Sequence, residues 1–282
     1  RLLAFRLVRL TALTVSDMTL LIPHASPLQP ARFRQRYDRF IADVELEDGR
    51  LVSAHCVNPG RMEGLVRPGA PVWVSPAPKG SKRKLRWTLE LMEIEGQLVG
   101  ANTVVPNRIA EALVRARLIP GLRRWRRLER EVRYGEGSRI DLMLRGARDH
   151  LVEVKNCHLV YPDRRAYFPD SVSARAAKHL RELIREVHEG RRATVLFILQ
   201  RTDGRSLRPS QLHDPSFAAA AREAGEAGVR FRAARIDPTP EGFRFQRMIP
   251  VDLSPYDEGA LRAFREDLAP WSGWRRRGKR AS

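Results

Sequence analysis

Ser138-Arg-Ile-Asp-Leu-Met-Leu144, followed closely by His150-Leu-Val-Glu-Val-Lys155, is the stretch that decides the fold. Both segments alternate side chains with the period of two that a β-strand imposes. On the second, Val152 and Val154 point into a core, so Glu153 and Lys155 share the opposite face. On the first, Asp141 faces away from Ile140, Leu142 and Leu144. If the two pair as a hairpin, two carboxylates and an ammonium converge at one end of a sheet. Such oxygens suit Mg2+, a hard ion that keeps waters for a phosphate substrate. The metal would acidify an attacking water, while the lysine orients it and neutralises the oxyanion. An exposed strand face also alternates Glu and Lys, and with 19 Glu and six Lys in 282 residues one Glu-x-Lys match is ordinary. Context sets this one apart: an isolated Asp in the preceding apolar strand, with helical segments on both sides.

Outward from this pair, residues 107–118 carry Ile109, Leu113 and Ala116 at helical spacing, and Ile119-Pro-Gly121 ends the helix. Residues 128–134 read as a strand. Residues 172–188 form a helix with Leu180, Leu183, Ile184 and Val187 in one apolar stripe, and Asp170 or Ser171 as its N-cap. Residues 192–200 have the continuous apolar run of a central strand covered on both faces. A helix at 217–227 and a strand at 229–236 follow. The order is α-β-β-β-α-β, a mixed sheet with helices on its faces. Upstream, five short strands at 39–46, 51–57, 71–75, 88–94 and 97–101 predict a small β-barrel. An OB-like barrel leads, although periodicity does not separate it from an SH3-like one. The expected division is therefore an N-terminal extension (1–29) outside the fold, a barrel (30–101), a mixed α+β domain (102–252), and a short helix with an unfolded basic tail (253–282). Within the extension, residues 1–17 are basic and acid-poor, and they read as an upstream or targeting segment before Met18.

Charge points to the partner. Lys and Arg total 52 against 33 acids, a net +19, and such an excess calls for a polyanion. No run of 18 apolar residues exists, so no membrane-spanning helix is expected. Two cysteines, Cys56 and Cys157, build neither a disulfide scaffold nor a four-cysteine zinc site, and they read as reduced thiols of a cytoplasmic protein. The candidate nucleic-acid contacts are Lys82, Arg83, Lys84 and Arg86 in a barrel loop that ends at Trp87, and Arg123, Arg124, Arg126 and Arg127 around Trp125. Trp87 reads better as barrel core than as a stacking platform. Arg175, Lys178 and His179 lie off the apolar stripe of their helix, where they meet either a phosphate or only solvent.

Ser138-Arg-Ile-Asp-x-x-Leu144 with Val152-Glu-Val-Lys155, in this element order, resembles the core of the PD-(D/E)xK nuclease superfamily. The chain resembles more specifically the sugar fermentation stimulation protein A family. Arg39-Phe-Ile-Ala-Asp43, His55-Cys-Val-Asn-Pro-Gly-Arg-Met62, Lys82-Arg-Lys84, Tyr134-Gly-Glu-Gly-Ser-Arg-Ile-Asp141, Val152-Glu-Val-Lys-Asn156, Phe168-Pro-Asp170, Lys178-His-Leu180 and Gln200-Arg201 carry the likeness, across residues 33 to about 252. Val57, Pro59, Gly137, Ala174 and Ala176 depart from the pattern. The resemblance implies a bacterial or archaeal cytoplasmic protein with an OB-like domain, a nuclease-like domain, and DNA, duplex or single-stranded, as partner. It also implies Asp141, Glu153 and Lys155 as the catalytic set, with Glu111, from the preceding helix, as a further ligand of Mg2+ or Mn2+ beside Asp141 and Glu153. Backbone binding of DNA without sequence preference is the expected function, since no base-reading helix is identifiable. Metal-dependent phosphodiester hydrolysis and RNA binding through the barrel are the rivals, and the oligomeric state stays open.

Overall fold

Alternating strands fold the first part of the chain into a closed barrel. The computed structural model describes residues 20–135 and 137–276. The expected upstream segment (1–17) and the last residues of the basic tail (277–282) lie outside the described residues. After β1 (Leu21–Pro23) come β2 (Gln29–Tyr37), β3 (Ile41–Leu46), β4 (Leu51–His55), β5 (Pro71–Pro76), β6 (Trp87–Ile94) and β7 (Gln97–Gly100). Strands β4-β3-β2-β5-β6 pair in that order, and a short parallel pairing of β4 with β6 closes the ring, with β7 added outside. Five strands closed in this way form an OB-like barrel, filled by Phe33, Val44, Val72, Val74, Leu89 and Met92. Trp87 packs against that core, as expected.

Strand β2 is absent from the sequence reading, because Arg32, Arg34 and Arg36 disguise its alternation. Arg36 is 1% exposed. Its guanidinium donates to the carbonyls of Arg39, Asn58, Gly60 and Gly273, which meets the requirement that a buried charge be fully hydrogen-bonded.

The second domain contains α1 (Val105–Arg115), β8 (Arg127–Tyr134), β9 (Ser138–Arg145), β10 (His150–Cys157), β11 (Leu159–Val160), β12 (Arg165–Phe168), α2 (Ala174–His188), β13 (Arg192–Leu199), β14 (Ser206–Pro209), α3 (Pro215–Glu226), β15 (Arg230–Thr239), β16 (Gly242–Ile249) and α4 (Gly259–Leu268). Its main sheet runs β1-β16-β15-β13-β10-β9-β8. The β10–β13 and β13–β15 pairs are parallel and the others antiparallel, the mixed sheet that the element order predicts. Helix α1 covers one face, setting Ile109 and Leu113 against Leu142, Val152 and Leu196. Helices α2 and α3 cover the other, setting Leu180, Leu183 and Phe217 against Leu151, Val195 and Phe197.

Two segments expected outside the fold belong to it. β1 pairs with β16 and buries Ile22; three residues are too few to show a period. At the other end, Trp271 to Arg275 lies along the barrel instead of fraying. Val66 N donates to Trp271 O at 2.9 Å, Arg275 N to Arg36 O at 2.9 Å and Asp38 N to Arg275 O at 3.0 Å. No described helix is long and apolar enough to cross a membrane.

Candidate functional site

The β9–β10 ladder pairs Leu144 with His150, Met143 with Leu151 and Leu142 with Val152, and there it stops. At the next step the carboxylate of Asp141 stands in for a strand carbonyl. Its Oδ2 accepts from the Val154 N–H at 2.7 Å, and its Oδ1 accepts from Asn107 Nδ2 of α1 at 2.7 Å. On the other flank, Glu131 of β8 has φ +52°, and the β8–β9 register passes over the 131/141 pair. The strands thus part on both sides of Asp141. This break also ends the strict alternation expected of β9, since Ile140 joins the core under α2 while Leu142 joins the core under α1.

β10 remains regular. Val152 and Val154 face α1, so Glu153 and Lys155 face α2 together, as the spacing predicts. Glu153 is 3% exposed. Its Oε1 accepts from Lys155 Nζ at 2.6 Å and from His179 Nδ1 at 2.7 Å, whereas Oε2 is buried without a hydrogen-bond partner among the described residues. Arg175 Nε donates to His179 Nε2 at 3.3 Å, which leaves Nδ1 as the nitrogen that carries the proton toward Glu153. Burial raises the Asp141 carboxyl, and the charge of Glu153 adds to it, pushing Asp141 up to about 6. Burial acts on Glu153 in the same sense, but Lys155 and His179 outweigh it and hold that carboxyl below its ordinary value.

A cavity of about 540 Å3 opens in front of Asp141 and Glu153, rimmed by Arg139, Arg175, Lys178 and Glu131. Two carboxylates, one with a buried oxygen lacking any donor, fit a hard divalent cation, because Mg2+ takes one or two carboxylates and completes its shell with water and phosphate oxygens. No group of three or more His, Cys, Asp or Glu side chains arranged to hold a metal occurs among the described residues. At this cavity Asp141 and Glu153 would be the side chains to hold such a cation.

Glu111 is not brought into this cavity. Arg115 and Arg130 hold its carboxylate, at 2.8 and 3.3 Å, and Asn107, one turn earlier on α1, is the residue that reaches Asp141. Nor does Asp170 cap α2. Ser173 does, accepting from Ala176 N, while Asp170 accepts from Met62 N at 3.1 Å and lies 3.4 Å from His158 Nε2, tying the barrel to the sheet domain. Burial disfavours the Asp170 charge, but the His158 contact and the backbone N–H prevail and hold it at about 2. Asn156, next to the last residue of β10, accepts from Gln200 Nε2 through its amide oxygen. Lys82, Arg83, Lys84 and Arg86 are exposed in the β5–β6 loop. Arg123, Arg124, Arg126 and Arg127 are exposed too. Arg127 pairs with Arg145, however, four residues along β9 from Asp141, roughly 13 Å at ~3.3 Å per residue. His179 is buried rather than off the packed stripe, and it lies in a row with Arg175, Glu182 and Glu186. That three-and-four spacing was the available signal for His179. Asn107 and Glu131 carried none.

An OB-like barrel joined to a mixed sheet of restriction-endonuclease-like order, with an Asp and a Glu-x-Lys on adjoining strands, defines the class of protein. Residues 35–101 match the SfsA N-terminal OB domain, and residues 104–242 match the sugar fermentation stimulation protein RE domain. The chain belongs to the sugar fermentation stimulation protein family. It is 47% identical to a homologue from Thioalkalivibrio sulfidiphilus over 78% of this chain and 93% of that one, and 46% identical to one from Maricaulis maris over 79% and 95%. Among solved structures it is similar to Pyrococcus furiosus SfsA in complex with Ca2+, with 28% identity, a TM-score of 0.75, and coverage of 84% of this chain and all of that one.

Proposed function

We propose that this protein binds DNA through its phosphate backbone and that Asp141, Glu153 and Lys155 form a Mg2+- or Mn2+-dependent centre for phosphodiester hydrolysis. The observation that carries the reading is the convergence of Asp141 with the unpartnered Glu153 Oε2, beside Lys155, in a cavity with a cationic rim. Bound there, the metal would supply a Lewis acid and an acidified water. The Val154 N–H and Asn107 fix the rotamer of Asp141, and Lys155 with His179 fix that of Glu153. In this reading the Lys155 ammonium would orient the attacking water and offset charge on the phosphoryl oxygens, while Arg175 and Lys178 would bind flanking phosphates. The P. furiosus relative was solved with Ca2+, another hard, oxygen-seeking ion, which supports the same donor class here. The net charge of +19 supports the polyanion. Any influence on sugar metabolism, which the family's name carries, would act through this DNA binding.

A second reading, binding without hydrolysis, is favoured by one contact: the Lys155 ammonium offsets the Glu153 charge within the protein itself. Incubation of supercoiled plasmid with Mg2+ or Mn2+ separates the two. Nicking by wild type, reduced at least about a hundredfold in Asp141→Ala and Lys155→Ala, supports hydrolysis. Equal nicking by both variants removes the site from the chemistry, and binding with no nicking leaves the second reading. Titration of duplex, single-stranded DNA and RNA across salt concentrations ranks the partners, and tighter RNA binding would displace DNA.

A further inference from the structure

Beside the site lies a second cavity, of about 650 Å3, between the barrel and the sheet domain. Its walls come from the loop after β4, the end of β10, and the chain leading into α2. Arg39, Arg61, Lys155 and Arg175 line it, against one acid. That acid, Asp170, already accepts from Met62 N and contacts His158. Arg39 is held in place by Trp274, its guanidinium 4.9 Å from the ring centroid. Asn58 also lines the cavity, 1% exposed, and its Nδ2 has no partner among the described residues. Phe168, Pro169 and Val172 give the cavity an apolar side, and Val172 is 77% exposed.

Arg175 borders both cavities, and Lys155 lies in this one while bonding Glu153 at the edge of the other. The catalytic candidates therefore stand at a junction between the carboxylate-floored cavity and this cationic one. The second chamber has the volume of an ordinary small-ligand pocket. It can seat a nucleotide or two but not a duplex. Cations along a groove with apolar and amide surface beside them are what a single strand needs, namely phosphate neutralisation plus a place for the base.

We propose that this interdomain cleft takes unpaired nucleotides of DNA, so that the preferred substrate is a single-stranded segment or a junction with duplex, its unpaired strand running past Arg61 and Arg39. The assignment rests on the proposed function only for where the reacting phosphate lies; single-strand binding in the cleft does not depend on hydrolysis.

The test uses the full chain in EDTA, with fluorescence anisotropy of labelled oligothymidylate and of a hairpin duplex. Arg39→Ala/Arg61→Ala should weaken oligothymidylate binding about tenfold and flatten its log–log salt slope by about 1.4, the share of two phosphates on a single strand. Duplex affinity should change less than about twofold. Val172→Trp, at an exposed position, keeps every charge but fills the cleft, and it should also weaken oligothymidylate binding alone. Equal losses for both DNA forms, or no loss in either variant, overturn the proposal. Tighter binding of oligouridylate than of oligothymidylate overturns the choice of DNA. Because no metal is present and Asp141, Glu153 and Lys155 are untouched, absence of nicking elsewhere leaves this result intact, and nicking by wild type does not rescue a failed one.

Discussion

Lowering the pH from 7.5 to 5 should weaken Mn2+ binding about tenfold, and Asp141 is the reason. Burial, with the charge of Glu153 behind it, pushes this carboxyl to about 6. A cation needs the carboxylate, so a proton competes with it. At pH 5 the group is roughly ten parts protonated to one ionised, and at pH 7.5 it is almost wholly ionised, which gives the factor of about ten. A carboxyl at the ordinary value near 3.9 would change affinity by less than ~10% over the same range. The sign for the metal-free protein follows from the raised value. The native state binds this proton more tightly than the unfolded chain, so the stability it contributes is full below about 4 and lost as pH rises through about 6. A bound cation favours the ionised form and restores what the metal-free protein loses. Isothermal calorimetry in buffers of different ionisation enthalpy reads both quantities, with about 0.8 proton released per Mn2+ at pH 5.5 and almost none at 7.5. Undiminished Mn2+ binding across the whole range would refute the argument, since it would place the ion away from Asp141.

Three further outcomes follow from the same contacts. His213→Ala leaves the buried Glu63 carboxylate with only the Tyr161 hydroxyl of its two side-chain donors, now at 2.8 and 2.6 Å. It should cost about 3–5 kcal/mol and lower the thermal midpoint by roughly 10 °C. Gly60→Ala places a Cβ 2.7 Å from both Asp170 oxygens, and a destabilisation of about 1–3 kcal/mol should appear in chemical denaturation. Replacing Lys82, Arg83, Lys84 and Arg86 together by Ala should flatten the log–log salt slope for duplex DNA by up to about 3.6, with plasmid nicking at saturating DNA unchanged.

The two strands that carry Asp141, Glu153 and Lys155 were legible because their apolar partners enforce a period of two, and burial of Val152 and Val154 fixes the face of everything between them. The parting of the strands at Asp141 was not, because it depends on Glu131 in a left-handed conformation and on Asn107 reaching from a helix. Charged residues give no sequence sign of their burial. Arg36, His179, Glu182 and Glu186 are all buried, and a sequence shows a charge without showing the carbonyl or counter-ion that makes burial tolerable. The C-terminal segment reads as a basic tail because its partners, the backbone groups of Arg36, Asp38 and Val66, lie more than 200 residues away along the chain.

Anomalous diffraction from crystals grown with Mn2+ tests the central claim most directly, since it locates the ion rather than inferring it. The arrangement predicts a peak about 2.1 Å from an Asp141 carboxylate oxygen and from Glu153 Oε2, with loss of the peak in Asp141→Asn. Strong Mn2+ density elsewhere in the molecule, with none between these two side chains, would contradict it.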